Sequence, residues 1–214
     1  MKNILEIYME CTTTEALGPY KRYGLWLQGC DKNCEGCMSP ASQEAGNGYM
    51  KTVDEIITAI ITQKEIEGIT VSGGEPFLQA EALENLFLKI KAIKDLGIVI
   101  FTGYYIEQLE YLAQAYPNVS AVLSMTDILI DGPYIEKLND NNSLRGSSNQ
   151  NVHFLTSRYK QLNGSYYGLP GRKFEWNISD GNMRLIGIPD KKTCELFAKT
   201  LNTNRMQDYL IKGE

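Results

Sequence analysis

The 214-residue chain has a single histidine, His153, and no apolar run long enough to cross a membrane. The stretch Leu96 to Phe101 falls far short of the roughly 20 residues that a spanning helix needs. The opening MKNILEIYMECTTTEALGP is not expected to be a signal peptide, since it carries one Lys and sets Glu6 and Glu10 inside its apolar stretch. Basic charge is scarce: 21 Lys and Arg stand against 26 Asp and Glu, a net charge of −5. The clustered basic footprint of a nucleic-acid binder is absent. The five cysteines are an odd number with three of them crowded, unlike the framework of a secreted disulfide domain. These absences predict a cytoplasmic protein that binds neither nucleic acid nor membrane. The length suits one domain with a modest extension, able to bury a core without disulfides.

What is present is concentrated in GCDKNCEGC, residues 29–37. Cys30, Cys34 and Cys37 are separated by three and then two residues, and no fourth cysteine or histidine lies nearby. A structural zinc site normally closes its sphere with four protein ligands, so Cys11, Cys194 or His153 would have to arrive from a distant segment. A cubane iron–sulfur cluster takes one thiolate per iron, so three cysteines leave one iron open to a non-protein ligand.

The surrounding chain alternates strand and helix. YGLWLQG (23–29) puts Tyr23, Leu25 and Leu27 on one face and Trp26 on the other, as a strand covered on both faces does. TVDEIITAIITQ begins with a Thr52/Glu55 capping pair and repeats Val53, Ile56, Ile57, Ile60 and Ile61 at helical spacing. Strands are predicted at 68–71, 97–103 and 127–132, with helices over 80–94 and from Ile106 to Tyr116. Such alternation implies an α/β fold with a parallel sheet, and four units are too few for a closed eight-stranded barrel. A partial, open β/α barrel is expected, with the cysteines, GGEP and DGP on one rim because each directly follows a strand. Near residue 156 the pattern changes. FEWNISDGNMRLIGIP (174–189) reads as a hairpin turning at Asp180-Gly181, followed by a short helix over 191–201. The expected division is a core over 1–156 and a hairpin-plus-helix extension over 157–214, which cannot be stable alone and is expected along the open flank of the barrel, shaping substrate choice.

TVSGGEPFLQ (70–79) is in its plain reading a glycine turn into a helix, with Glu75 and Pro76 in the first turn. Beside an open cluster iron it reads differently: paired glycines let backbone approach a ligand, and carbonyls with a carboxylate can hold an amino group. The C-x3-C-x2-C loop after one strand and GGEP after the next resemble the radical S-adenosylmethionine superfamily. The resemblance implies a [4Fe–4S] cluster on Cys30, Cys34 and Cys37, whose open iron is chelated by the methionyl end of S-adenosylmethionine. Reductive cleavage of that cosubstrate would give a 5′-deoxyadenosyl radical. It further implies that Gly73, Gly74, Glu75 and Pro76 hold the methionyl end, while Gly36 and Met38 approach the adenine.

GPYKRYGLWLQGC, CEGC, SGGEP, DILIDGPYIEKL and LRGSSNQ together resemble the activating proteins of anaerobic ribonucleoside-triphosphate reductase. That resemblance spans about residues 4–155. It implies abstraction of a glycine α-hydrogen from a large glycyl-radical enzyme, with a flavodoxin- or ferredoxin-type electron donor. The chain departs from the pattern at GPYKR and at Met38, where the family often has GPG-x-R and an aromatic residue. Met38 still offers adenine an apolar contact. The alternatives are a radical enzyme acting on a peptide or small molecule, and a zinc-stabilised interaction module. Asp131, ending a strand beside Gly132 and Pro133, is either a turn former or a catalytic group that touches cosubstrate or orients substrate. His153 is expected to be a hydrogen-bonded structural residue, and Cys11 and Cys194 structural thiols. Tyr159, Tyr166 and Tyr167 suit either an interface or packing.

Overall fold

The computed structural model describes residues 2–164, 167, 170–179 and 182–200. Its N-terminal segment forms the longest strand, β1 (Ile4–Thr14). Glu6, Tyr8 and Glu10 alternate with the buried Leu5, Ile7 and Met9, the period-2 signal of a strand, which the predicted elements had omitted. A bulge between Ile7 and Met9 turns the chain over. Leu5 and Ile7 therefore join the main core, whereas Met9 and Cys11 pack on the opposite side with Trp26.

β2 (Arg22–Leu27) lies antiparallel beside β1, and β3 (Tyr49–Thr52) pairs with the other edge of β1. The chain then runs through α1 (Val53–Ile61), β4 (Gly68–Gly73), α2 (Ala80–Ile93), β5 (Gly97–Phe101), α3 (Ile106–Ala115), α4 (Pro117–Met125) and β6 (Ile128–Asp131). β7 (Asn151–Phe154) finishes the seven-stranded sheet antiparallel to β6. The strand order is β3-β1-β2-β4-β5-β6-β7, so a parallel centre of β2, β4, β5 and β6 is flanked by antiparallel strands. The architecture is mixed α/β. The Thr52/Glu55 capping box forms as expected, with the Glu55 amide donating to Thr52 Oγ1 at 3.2 Å and the Thr52 amide to Glu55 Oε2 at 2.8 Å. The expected helix from Ile106 to Tyr116 is α3, with Tyr116 as its C-cap; α4 was not expected, and Pro117 opens it, where its missing N–H costs nothing.

All four of these helices bury their apolar stripes on one face of the sheet. Ile56 and Ile60 of α1, Leu83, Leu86 and Ile90 of α2, Leu109 of α3 and Val122 of α4 meet Leu25, Leu27, Val71, Ile98, Ile100 and Leu129. The other face is covered differently. At its lower end lies Arg22, fully buried, donating to Thr70 Oγ1 (2.7 Å), Tyr159 Oη (3.0 Å), Glu67 Oε2 (3.1 Å) and the carbonyls of Pro19, Ile69 and Gly97. A buried guanidinium is tolerable only with its donors matched in this way. Tyr159, 1% exposed, packs with Val99, Ile128 and Ile130, so the chain just beyond residue 156 is bound into the body.

The predicted hairpin is β8 (Phe174–Ser179) and β9 (Asn182–Gly187), paired antiparallel from Phe174↔Gly187 to Ser179↔Asn182; Asp180 and Gly181 lie outside the described residues. It lies over the same inner face. Ile186 packs with Met9, Cys11, Leu17 and Trp26, while Glu175 accepts from Thr14 Oγ1 at 2.7 Å and the Glu15 amide at 3.0 Å. α5 (Lys191–Thr200) follows, its first turn capped by Asp190 accepting from the Thr193 amide at 2.8 Å. The expected last residue of that helix, Leu201, and Tyr166 lie outside the described residues, and the Cys194 side chain is not described. Among the described residues no helix is long and apolar enough to cross a membrane.

Candidate functional site

The cysteine loop leaves the end of β2 and is closed at its base by its own backbone. The Gly29 amide donates to the Ser42 carbonyl and the Cys30 amide to that of Gln43, each at 2.8 Å. Gln28, 2% exposed, spans the same gap with Nε2 donating to the carbonyls of Ala41 (2.8 Å) and Glu44 (2.6 Å). Within the loop a tight turn carries the Cys37 amide to the Cys34 carbonyl at 3.2 Å, which Gly36 permits by adopting φ +73°. The three thiols are half-buried, and none of Cys11, Cys30, Cys34 and Cys37 forms a disulfide among the described residues. Backbone amides already point at two sulfurs: Lys32 N lies 3.5 Å from Cys30 Sγ and Ser39 N lies 3.4 Å from Cys37 Sγ. Burial pushes the Cys30 and Cys37 thiols up, a penalty that a metal removes by taking the thiolate form.

Three rim segments grip this loop. The first is GGEP. The Gly74 amide donates to the Leu27 carbonyl at 2.7 Å and the Glu75 amide to the Gly29 carbonyl at 2.8 Å. A Cβ on Gly74 would stand 2.0 Å from the Gly29 carbonyl oxygen, and one on Gly73 2.4 Å from the Leu27 amide nitrogen. The paired glycines are thus required by backbone docking between the ends of β2 and β4, a reason the sequence did not disclose. The second segment follows β5: Lys32 Nζ sits 3.3 Å from the centroid of the Tyr104 ring, whose hydroxyl donates to Asp31 at 3.0 Å. The third follows β6, where a Cβ on Gly36 would lie 3.2 Å from Glu136 Oε2 and 3.3 Å from Tyr134.

Glu75 lies at the centre of this junction, 1% exposed. Its carboxylate accepts from the Phe77 amide (3.0 Å), Thr102 Oγ1 (2.8 Å) and the Gly103 amide (2.8 Å). Burial pushes its pKa up to about 7, partly offset by those three donors and by nearby Lys32. Pro76 starts the 3-10 turn Pro76–Gln79, where a missing amide is harmless.

Asp131 is 1% exposed and fully engaged. Oδ1 accepts from the Asn151 amide at 2.9 Å, and Oδ2 accepts from the Ile106 amide at 2.9 Å and faces His153 Nε2 at 2.9 Å. It joins the start of α3 to the β6–β7 ladder. His153 has the structural partner expected of it. Cys11 is buried and bonds to the Thr13 carbonyl at 3.3 Å. LRGSSNQ is no loose surface loop. Gln150 Oε1 accepts from the amides of Gly146 (2.7 Å) and Ser147 (3.1 Å), while its Nε2 donates to the Gly132 carbonyl (2.7 Å). The Ile135 amide donates to Ser147 Oγ at 3.1 Å. DGPYI and LRGSSNQ are therefore one interlocked unit.

A cavity of about 100 Å3 opens between the cysteine loop and the hairpin. Met38 and Ser39 bound it on the loop side, Ser72 and Phe101 at the ends of β4 and β5, and Leu185, Gly187 and Ile188 on the hairpin side. Met38 is the sole sequence-predicted site residue among its walls. Ser72 directly precedes GGEP, and Phe101 ends a predicted strand, so both were open to inference from the same rim argument; the hairpin residues were not.

The donor set fits an iron–sulfur cluster: three thiols on one loop, amides directed at sulfur, and a neighbouring turn with a carboxylate. The comparisons agree. A model of the 4Fe–4S single cluster domain matches residues 16–153. The anaerobic ribonucleoside-triphosphate reductase-activating protein of Enterobacteria phage T4 is 31% identical over 100 residues, covering 44% of this chain and 64% of its own. The pyruvate formate-lyase-activating enzyme of Staphylococcus epidermidis is 41% identical over 81 residues, 35% of this chain and 32% of that enzyme. Its counterpart from Listeria monocytogenes is 35% identical over 80 residues. The chain thus spans just under two thirds of the phage protein and about a third of these enzymes. It belongs to the 4Fe–4S single cluster domain family, and the resemblance to radical S-adenosylmethionine activases holds.

Proposed function

We propose that this member of the 4Fe–4S single cluster domain family is a radical S-adenosylmethionine enzyme that installs a glycyl radical on a partner protein. The observation that carries the reading is the direct backbone joining of its two motifs, Gly74 to Leu27 and Glu75 to Gly29, beside a cavity walled by Met38. Cys30, Cys34 and Cys37 hold the cluster. When bound there, S-adenosylmethionine supplies, on one-electron reduction, a radical that takes a hydrogen atom from a Cα–H.

The chain's own residues position and shield. A carboxylate offers about four acceptor sites. Three on Glu75 are taken, which leaves one for the methionyl amino group beside the Gly73-Gly74-Pro76 turn. Gly36 and Met38 lie toward the adenine. Asp131 is a positioning residue that fixes α3 and β7. The parallel centre with helices on one face suits a partial barrel, with the hairpin of β8 and β9 as its cover. The partner is a large glycyl-radical enzyme of the anaerobic ribonucleotide reductase type, a choice supported by LRGSSNQ and the phage relative, and the donor is a flavodoxin or ferredoxin.

Anaerobic reconstitution should give about four irons per chain. Reduction in the presence of S-adenosylmethionine should release 5′-deoxyadenosine, and adding an anaerobic ribonucleotide reductase should give a glycyl-radical paramagnetic signal. Colourless protein that binds one zinc sinks the reading. Cleavage without any glycyl signal moves it to a peptide or small-molecule substrate.

A further inference from the structure

Between Cys30 and Cys34 the chain has no apolar side chain to anchor it. Asp31, Lys32 and Asn33 fill the gap, and Asn33 adopts a left-handed φ of +47°. Yet the Lys32 side chain is only 20% exposed, where a lysine ordinarily extends into water. Its stem lies against Gly103, where a Cβ would stand 2.6 Å from Lys32 Cγ. Its Nζ sits 3.3 Å from the centroid of the Tyr104 ring and donates to Asp31 Oδ2 at 3.1 Å. The Tyr104 hydroxyl donates to that same oxygen at 3.0 Å. Tyr104 thus grips two consecutive residues of the loop, one with its ring and one with its hydroxyl.

This clamp stands on a fixed base. The Tyr104 amide donates to Thr102 Oγ1 at 3.1 Å, and its carbonyl accepts from the Gly132 amide at 2.8 Å. Thr102 Oγ1 and the Gly103 amide in turn hold Glu75. At its other end the clamp reaches a sulfur, because the amide of Lys32 itself lies 3.5 Å from Cys30 Sγ. A side chain free in water lets its own backbone turn, whereas one packed at stem and tip does not. Fixing Lys32 at both places therefore fixes a donor on a cysteine ligand. Donors to the sulfurs of an iron–sulfur cluster favour its more negative, reduced state and raise its potential.

We propose that Tyr104 is a positioning residue of the metal centre: its ring, acting through Lys32, keeps the Lys32 amide on Cys30 Sγ and so sets how readily the cluster accepts an electron. The effect on the cluster rests on the proposed ligation by Cys30; the clamp does not, and one arm of the test reads it on cluster-free protein. A tyrosine is uncharged at neutral pH, so its removal changes the centre through geometry and leaves the net charge alone.

The first arm follows amide hydrogen exchange by NMR in the full, cluster-free chain. Tyr104→Leu should speed exchange of the Lys32 amide at least about fivefold, while the Cys30 amide, bonded to the Gln43 carbonyl, keeps its rate. The second arm is a redox titration of the reconstituted protein, read by the paramagnetic signal of the reduced cluster. Loss of one hydrogen bond to sulfur in Tyr104→Leu should lower the equilibrium constant for reduction about threefold to tenfold. Tyr104→Phe keeps the ring and should recover most of both effects. Unchanged exchange or an unchanged potential in Tyr104→Leu overturns the proposal. So does a Tyr104→Phe variant that behaves like Tyr104→Leu, since the hydroxyl alone would then hold the loop. Should Tyr104→Leu not fold, Lys32→Met takes its place in the first arm, keeping the stem on Gly103 and losing the cation; an unchanged exchange rate at position 32 overturns the proposal there. A chain that shows the exchange effect but takes up no iron faults the cluster reading and leaves the clamp standing.

Discussion

The two walls of the cavity are built in different ways. On the cysteine side, main chain meets main chain: Gly29, Gly74 and Glu75 bond through amides and carbonyls, and there is no room for a methyl group between them. On the hairpin side, side chains do the holding: Ile186 against Trp26 and Met9, Glu175 on Thr14, Arg172 on the carbonyls of Asn142 and Gly146. Backbone docking fixes geometry to a fraction of an ångström and tolerates almost no substitution. Side-chain docking can lose one contact without moving the main chain. The division gives the cavity a rigid half and a more adaptable one.

The sharpest way to break the comparison is at the metal. Replacing Cys30, Cys34 or Cys37 by Ala should abolish cluster absorbance, whereas Cys11→Ala, on the hairpin side, should keep the full iron content. Iron loss in the Cys11 variant would mean that the two walls are not independent. Next is Arg22, which supports both halves through Thr70 and Tyr159. Arg22→Met takes their guanidinium donor from the carbonyls of Pro19, Ile69 and Gly97, while Glu67 keeps Arg158 and the Tyr159 hydroxyl, and should cost about 2–4 kcal/mol in urea unfolding. A loss below about 1 kcal/mol would show that this network is dispensable. Gly74→Ala tests backbone docking itself. With its Cβ at 2.0 Å from the Gly29 oxygen it should cost about 2–4 kcal/mol and lower iron retention together with stability.

Glu75 gives a pH signature confined to the rigid half. Its pKa rises from an ordinary 4.5 to about 7 on folding, so the folded protein binds the extra proton between those values. Its contribution to stability is therefore full below about pH 4.5 and lost as pH rises toward 7, a decline on the order of 2–3 kcal/mol. Glu75→Gln should flatten that limb of the thermal-midpoint profile, and an unchanged slope would mean that the group stays ionised throughout. The smallest effect belongs to the hairpin. Glu175→Gln weakens two hydrogen bonds and should cost about 1 kcal/mol, with iron content and 5′-deoxyadenosine release unchanged. A fall in either would tie the hairpin to the cluster and erase the distinction drawn here.

Local pattern made much of this legible in advance. The helices α1 and α2 announce themselves by apolar spacing, and α1 also by its Thr52/Glu55 cap. The cysteine loop stands directly behind a strand, and GGEP behind its parallel neighbour. β1 was readable by the same rule, because Leu5, Ile7 and Met9 alternate with polar residues. Its bulge was not, since no residue between Ile7 and Met9 marks a change of face. Asp131 shows the limit for polar residues: beside Gly132 and Pro133 its side chain suits a turn or a site, and its partners Ile106, Asn151 and His153 appear only in the fold.

By itself the sequence determined the alternation of strand and helix from β2 to β6, the place of the cysteine loop behind a strand and the family to which the chain belongs. Each rests on spacing within a few residues, which short-range sterics and periodicity make readable. Tertiary structure alone decided that the glycines of GGEP serve backbone docking, that Arg22 is a buried anchor, and that the hairpin lies over the inner face to wall the cavity. These depend on contacts such as Arg22 with Tyr159 and Thr14 with Glu175, separated by 137 and 161 positions. A polar side chain carries no local mark of its distant partner, so the partner becomes known only when the chain has folded.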